Sequence, residues 1–382
     1  MYYLTIFSIW IFFSLSSSLS AKTANTFRVL SLFAKSERPP TKVTRSATSY
    51  ALELALEKHS QLKNRVKFKE FESSRKISEL VLQAQKVIDQ FKPDVIIGGS
   101  TSNQAFVISE IAEKNHIPFL TPWATHPNLT KNKHYTFRTC FDDHYQAGKI
   151  AEFIVSRLGL KRGMILVNSR ETFSVGFKDL FVQKAYKNGA KKVDIITFVD
   201  EKEVSDKKIA ALKKSKIDFV VIPSYEVEAA ALISRLASIL PKHVRYFGPD
   251  SWGTGKILRS VLNSVGLNID AYVVNHWSEK HQSKANKSFL HLLRRTKVYQ
   301  AIQNNPNTSL TSVAVIFDAM NVIFDSFDRQ TKKHIPLIEA LRQEDLEGVT
   351  GEIDPGDHKK QSLSLFIYKI EPEETRFVRA YR

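Results

Sequence analysis

Short apolar runs alternate with amphipathic stretches along most of the chain, and the alternation predicts parallel strands covered by helices. Val29-Leu30-Ser31-Leu32-Phe33 marks a first strand over residues 27–33, and the polar, Pro-bearing residues 34–46 read as a loop. Residues 49–62 then read as a helix and 68–71 as a short second strand. Ile77, Leu80, Val81, Ala84, Val87 and Ile88 fall at the i, i+3, i+4, i+7 spacing of an amphipathic helix, which Pro93 closes before a strand at 95–97. Helix 105–114 and strand 117–120 repeat the unit, and a strand at 135–138 follows. One helix per strand implies a parallel sheet with both faces covered.

The same grammar starts again after Asp143. Helix 145–158, strand 164–167, helix 175–187 stopping at Gly189, and strand 193–198 lead to helix 206–214 and strand 219–222. Helix 226–239 and strand 244–247 follow, the latter ending in Gly248-Pro249-Asp250. Beyond a strand at 271–275 the pattern changes to long helices, 284–303 and 311–328, then a shorter one at 335–341. The end reads as a strand at 350–354, a turn at Pro355-Gly356-Asp357-His358, and strands at 363–370 and 375–380. The fold class is α/β: two doubly wound, Rossmann-like lobes. No Gly/Ser-rich linker separates them, so the joints are expected to be short crossing strands, a hinge rather than a tether.

Composition agrees: 43% hydrophobic and 11% aromatic residues in 382 exclude a disordered chain. Residues 1–21 carry no charged side chain, and their apolar run followed by small residues reads as a secretory signal peptide cleaved after Ala21. That run is too short to span a bilayer comfortably. The expected location is the periplasm. Cys140 is the only cysteine, so an intrachain disulfide is impossible and the fold rests on its core. The net charge of +17 lies wholly beyond the leader, in scattered clusters that read as solvated helix faces rather than a nucleic-acid surface.

Candidate chemistry collects where strands end. Strand 95–97 runs into Ser100-Thr101-Ser102 and strand 117–120 into Thr121-Pro122-Trp123-Ala124-Thr125, delivering hydroxyls and free N–H groups to one crevice, an anion site in outline. Asp143 follows the strand at 135–138 and supplies a negative charge, so a molecule with both a carboxylate and an ammonium satisfies both ends. Phe173, Tyr225, Asp250 and Trp252 also follow strands or open the next helix. Helix capping is the competing reading for Ser102, Thr125 and Asp143, and core burial for the three aromatics. Neither Gly-x-Gly-x-x-Gly nor Gly-x-x-x-x-Gly-Lys-Ser/Thr is placed for a nucleotide, and Gly98 to Ser102 is not a hydrolase elbow. His126, His134 and His144 stand 8 and 10 apart, matching no metal pattern. No cofactor, metal or catalytic residue is expected.

These residues carry a family likeness. Val95 to Ser102, Ile117 to Thr130, and Phe137-Arg138-Thr139 with Asp143 and Gln146 resemble the type I periplasmic binding proteins of the leucine/isoleucine/valine-binding kind. Gly248-Pro249-Asp250, Phe317 to Asn321, and Val349-Thr350-Gly351 with Asp354 resemble later blocks of that family. The resemblance implies a three-crossing hinge, a first lobe of residues 22–141 plus 276–350, and a second of 142–275 plus 351–382. It implies that Ser102 and Thr125 hold a ligand carboxylate, that Asp143 and Asp250 face its ammonium, and that Phe173 and Tyr225 form aromatic walls, with Trp123 and Ala124 beside them. Asp250 stands where the family often has Glu, and Trp123 where a smaller residue is usual. The implied function is capture of an amino acid, possibly branched-chain, or a similar zwitterion, by a monomer working with an inner-membrane ABC permease or, alternatively, a sensor. A degenerate interaction module of the same fold is a further alternative, and an α/β hydrolase a lesser one.

Overall fold

The computed structural model describes residues 26–34, 46–204, 216–305, 308–357 and 361–382. The leader, most of the loop at 34–46, helix 206–214 and His358 lie outside the described residues. The first sheet contains β1 (Phe27–Ala34), β2 (Val66–Ser73), β3 (Val95–Gly98), β4 (Phe119–Thr121) and β5 (Thr136–Arg138), all parallel, in the order β2-β1-β3-β4-β5. Helices α1 (Ala47–Lys58), α2 (Ile77–Phe91) and α3 (Ser102–Asn115) cover it. The apolar stripe of α2 turns Leu80, Ala84, Val87 and Ile88 inward, and the helix stops at Lys92, whose left-handed backbone precedes Pro93.

The second sheet holds β6 (Arg162–Asn168), β7 (Lys192–Phe198), β8 (Phe219–Val221), β9 (Arg245–Gly248) and β10 (Ala271–Asn275), with α4 (Asp143–Ala151), α5 (Thr172–Lys187), α6 (Glu226–Ile239) and α7 (Lys256–Ser264). Helix α4 continues as a π-helical turn, Glu152–Arg157. Three short strands, β11 (Leu346–Glu347), β12 (Gly351–Ile353) and β13 (Ser362–Leu363), form a small antiparallel sheet that falls, along the chain, between β10 and the last two strands. Then β14 (Leu365–Ile370) and β15 (Thr375–Tyr381) join the second sheet antiparallel, beside β10, completing the order β15-β14-β10-β9-β8-β6-β7. The second lobe is therefore a mixed sheet, where alternation alone predicts a parallel one. The chain end returns as a hairpin because Pro372 and the acidic stretch 371–374 leave only a tight reversal between two strand-forming runs.

Two helices differ from the sequence pattern. Helix α7 is not among the expected elements; it is nine residues long, with Leu258 and Leu262 buried and Val261 packed beside them. The stretch 284–303 breaks into α8 (Lys284–Arg295) and α9 (Val298–Gln303), since Thr296 is extended at ψ 160. Helix α10 (Leu310–Lys333) is long and apolar enough to cross a membrane, yet 78% of its apolar window is buried within the protein, so it is a core helix. Its Phe327 stacks on Phe27 of β1 at 4.1 Å. After α11 (Leu337–Arg342) the chain crosses back between the lobes.

That crossing is tied down by Asp318 of α10. Its buried carboxylate accepts from Val349 N (2.9 Å), Thr350 N (2.9 Å) and the Thr350 hydroxyl (2.8 Å). Burial still pushes its pKa up to about 6, against those bonds. Asp318→Ala leaves three buried donors unanswered at about 1–3 kcal/mol each, so a loss of roughly 3 kcal/mol or more in unfolding free energy is expected, read by urea titration. A change below about 1 kcal/mol contradicts the assignment.

Candidate functional site

Each large sheet changes its direction of winding at one place, between β1 and β3 in the first and between β6 and β8 in the second. Ligands of open α/β sheets bind outside the carboxyl ends of strands at such points. The β3–α3 turn needs glycine: Gly99 has φ +80, and a Cβ there would stand 2.8 Å from that of Ala105. The turn places Thr101 at the N-cap of α3, where its hydroxyl accepts from Gln104 N at 3.2 Å. Capping thus falls to Thr101, and Ser102 is the first helical residue, 3% exposed. With Gln104 N taken by Thr101, the N–H groups of Ser102 and Asn103 are the ones of this turn that suit an anion.

A one-residue offset frees Asp143 as well. Asp142 is the N-cap of α4, accepting from Tyr145 N at 3.0 Å, and Asp143 follows it fully buried. Gln146, one turn on, donates Nε2 to Asp143 Oδ1 at 3.0 Å, while its Oε1 accepts from Asp250 N at 2.7 Å. One amide thus joins the two acids. The other oxygen of Asp250, Oδ2, meets His276 Nε2 at 2.9 Å. Asp143 Oδ2 and Asp250 Oδ1 are buried with no hydrogen-bond partner among the described residues. Burial first, and the Asp250 charge second, raise the Asp143 carboxyl well above the ordinary carboxylate range, opposed by hydrogen bonds from Thr125 and Gln146. Two buried carboxylates with one bare oxygen each are costly alone, and a cation between them removes that cost.

The remaining predicted site residues divide. Thr125, 2% exposed, accepts from Asp143 N through its carbonyl at 2.9 Å, and its hydroxyl serves the Asp143 carboxylate. Trp123 is half-buried, its ring edge-on to His276 at 5.7 Å. The Ala124 methyl packs into the core under the first sheet with Leu30, Phe119 and Leu129. Phe173 leans on Phe177 in the core at 5.9 Å and stands 6.3 Å from Tyr225, which is half-buried at the start of α6. Trp252 belongs to the core: it is fully buried and donates Nε1 to Ile222 O at 3.0 Å. Cys140 is buried, and burial raises its thiol far above the ordinary range, as for an inert packing residue.

The lips of the cleft touch. Asn103 Nδ2 of the first lobe donates to Arg170 O at 3.1 Å, and its Oδ1 accepts from Thr172 N (3.0 Å) and the Thr172 hydroxyl (2.6 Å) of the second. The Thr101 hydroxyl reaches that of Tyr225. His126 lies against Gly176, where a Cβ would come within 2.8 Å of the ring, so only glycine permits that approach. Sequence reading assigned no role to Asn103, Thr172 or His276, and named Gln146 without one. His276 directly follows β10, so the rule that found Asp250 also reaches it; the clasp has no local signal, because its partners lie 69 residues apart.

The profile of the receptor family ligand binding region matches residues 43–357. The chain belongs to this family. Its fold is that of the type I periplasmic binding proteins. The chain is 24% identical over 315 residues to a leucine-specific-binding protein of Salmonella typhimurium, covering 80% of each. It is 30% identical over 146 residues to the Leu/Ile/Val-binding protein BraC3 of Rhizobium johnstonii, a match spanning 37% of this chain and only 38% of that protein. Among solved structures, a leucine binding protein of Thermotoga maritima shares the fold at a TM-score of 0.77 with 21% identity, covering 94% of this chain and 99% of that one. A solute binding protein of R. palustris in complex with 4-hydroxybenzoate aligns at 0.75 with 16% identity, over 94% and 97%. All four are named as binding proteins, in keeping with a chain that is not an enzyme.

The geometry has a consequence in pH. A proton on Asp143 competes with any cation seated between Asp143 and Asp250, and the raised carboxyl holds that proton until the cation displaces it. Binding of an ammonium ligand is therefore expected to release protons, and affinity to rise with pH until Asp143 is ionised without ligand. Calorimetry in two buffers of different ionisation enthalpy counts the protons. Proton uptake on binding contradicts the arrangement.

Proposed function

We propose that the chain is an exported solute-binding protein that captures an L-α-amino acid between its lobes and delivers it to an ABC importer of the inner membrane. The carrying observation is the pair of buried, unpartnered oxygens, Asp143 Oδ2 and Asp250 Oδ1, in a cleft that also holds the N-terminus of α3, whose Thr101 reaches Tyr225 beside the two acids. An ammonium suits the first and a carboxylate the second, so one zwitterion satisfies both. Ser102 serves the carboxylate, the Thr125 hydroxyl supports Asp143, Phe173 and Tyr225 flank the side chain, and Trp123 narrows the cleft. The relatives' names point the same way: Leu/Ile/Val-binding and leucine-specific-binding.

In this reading, residues 1–21 direct export to the periplasm, and residues 22–141 with 276–350 close against 142–275 with 351–382. Closure pairs with capture because the ligand's two ends belong to different lobes, Ser102 on one and Asp250 on the other. The Asn103–Thr172 clasp then belongs to the closed form.

Isothermal calorimetry against a panel of the twenty L-amino acids tests the reading. Charge-assisted hydrogen bonds contribute about 1.5–3 kcal/mol each, so Asp250→Asn is expected to weaken the tightest-binding amino acid by roughly tenfold or more. Ser102→Ala should weaken it from the other end. Unchanged affinity in both variants, with the fold intact, removes this cleft as the binding site.

A further inference from the structure

We propose that His276 is a positioning residue that gives the cleft its preference for a ligand bearing an ammonium group, acting through Asp250. This deepens the amino-acid reading above and rests on it. Strands β9 and β10 are parallel neighbours with Gly248 opposite Val273, so their carboxyl ends deliver Asp250 and His276 side by side. The pair is enclosed, with side chains 9% and 3% exposed, and Nε2 lies 2.9 Å from Oδ2.

The imidazole is held on three sides. Its face stacks on Phe141 at 3.9 Å and 21°, its edge meets Trp123 at 5.7 Å and 77°, and Asp250 takes its nitrogen. Phe141 follows β5 on one crossing between the lobes, Trp123 follows β4 in the first lobe, and His276 begins another crossing. The ring has no room to swing away.

One effect follows for Asp250. With Oδ2 occupied by His276, only Oδ1 remains bare, and the carboxylate is fixed with that oxygen free for a donor. Without that bond, the carboxylate is free to turn, and an amine meets no fixed acceptor. Filling the space between Phe141 and Trp123 requires a flat ring but no nitrogen, so phenylalanine separates the two roles.

His276→Phe keeps the stack and removes the donor, while His276→Gln restores a donor without the ring. The probes are the tightest-binding amino acid of the panel and the same acid without its amine, for L-leucine 4-methylpentanoate. His276→Phe is expected to lose about tenfold or more in affinity for the amino acid while the amine-free acid changes less than about twofold, and His276→Gln to regain most of the loss. Equal losses for both probes, or no loss for either, overturn the role of His276 and leave the amino-acid reading standing. If the wild-type chain binds no amino acid of the panel, that reading falls and this proposal with it.

Discussion

Two carboxylates buried within reach of each other's charge, each with one oxygen left bare, are the constraint on which the rest of the cleft depends. A folded protein rarely keeps such a pair, because each unanswered acceptor costs about 1–3 kcal/mol and the charges repel. Here the neighbourhood is built to hold it. Asp142 caps α4 so that Asp143 does not, Gln146 bonds to both acids, and His276 fixes the far oxygen of Asp250. Without ligand a proton on Asp143 relieves the pair, and a cation takes its place.

The frame explains why the pair persists. Asp143 stands on the first crossing out of the β1–β5 sheet, Asp250 at the end of β9 in the other sheet, and Tyr225, near both acids, bonds Thr101 at the cap of α3. Small side chains bring the lips together: Asn103 bonds to Thr172 across the cleft, and Gly176 admits the His126 ring. Asp318 anchors the third crossing to the core helix α10.

Much of this was legible in the chain. Strands β1 to β10 and most helices follow from apolar periodicity, and the rule that ligands gather at strand ends selected Ser102, Thr125, Asp143 and Asp250. Capping needed the fold, because Thr101-Ser102 and Asp142-Asp143 are each pairs of capping residues and sequence does not say which member caps. Ala124 and Trp252 illustrate the opposite limit: a place near a strand end does not say which way a side chain turns, and both turn into cores. The antiparallel return of β14 and β15 and the break at Thr296 depend on tertiary pairing and one extended residue, which periodicity does not encode. His276 needed the partner strand β9 to acquire meaning.

The central claim is that the two bare oxygens receive an ammonium, and a crystal structure of the protein with its bound amino acid tests it most directly. The account predicts the ligand's amino nitrogen within about 3 Å of both Asp143 Oδ2 and Asp250 Oδ1, with its carboxylate at the first turn of α3. A ligand seated in the cleft with no nitrogen at the two acids, or with its carboxylate against them, contradicts it.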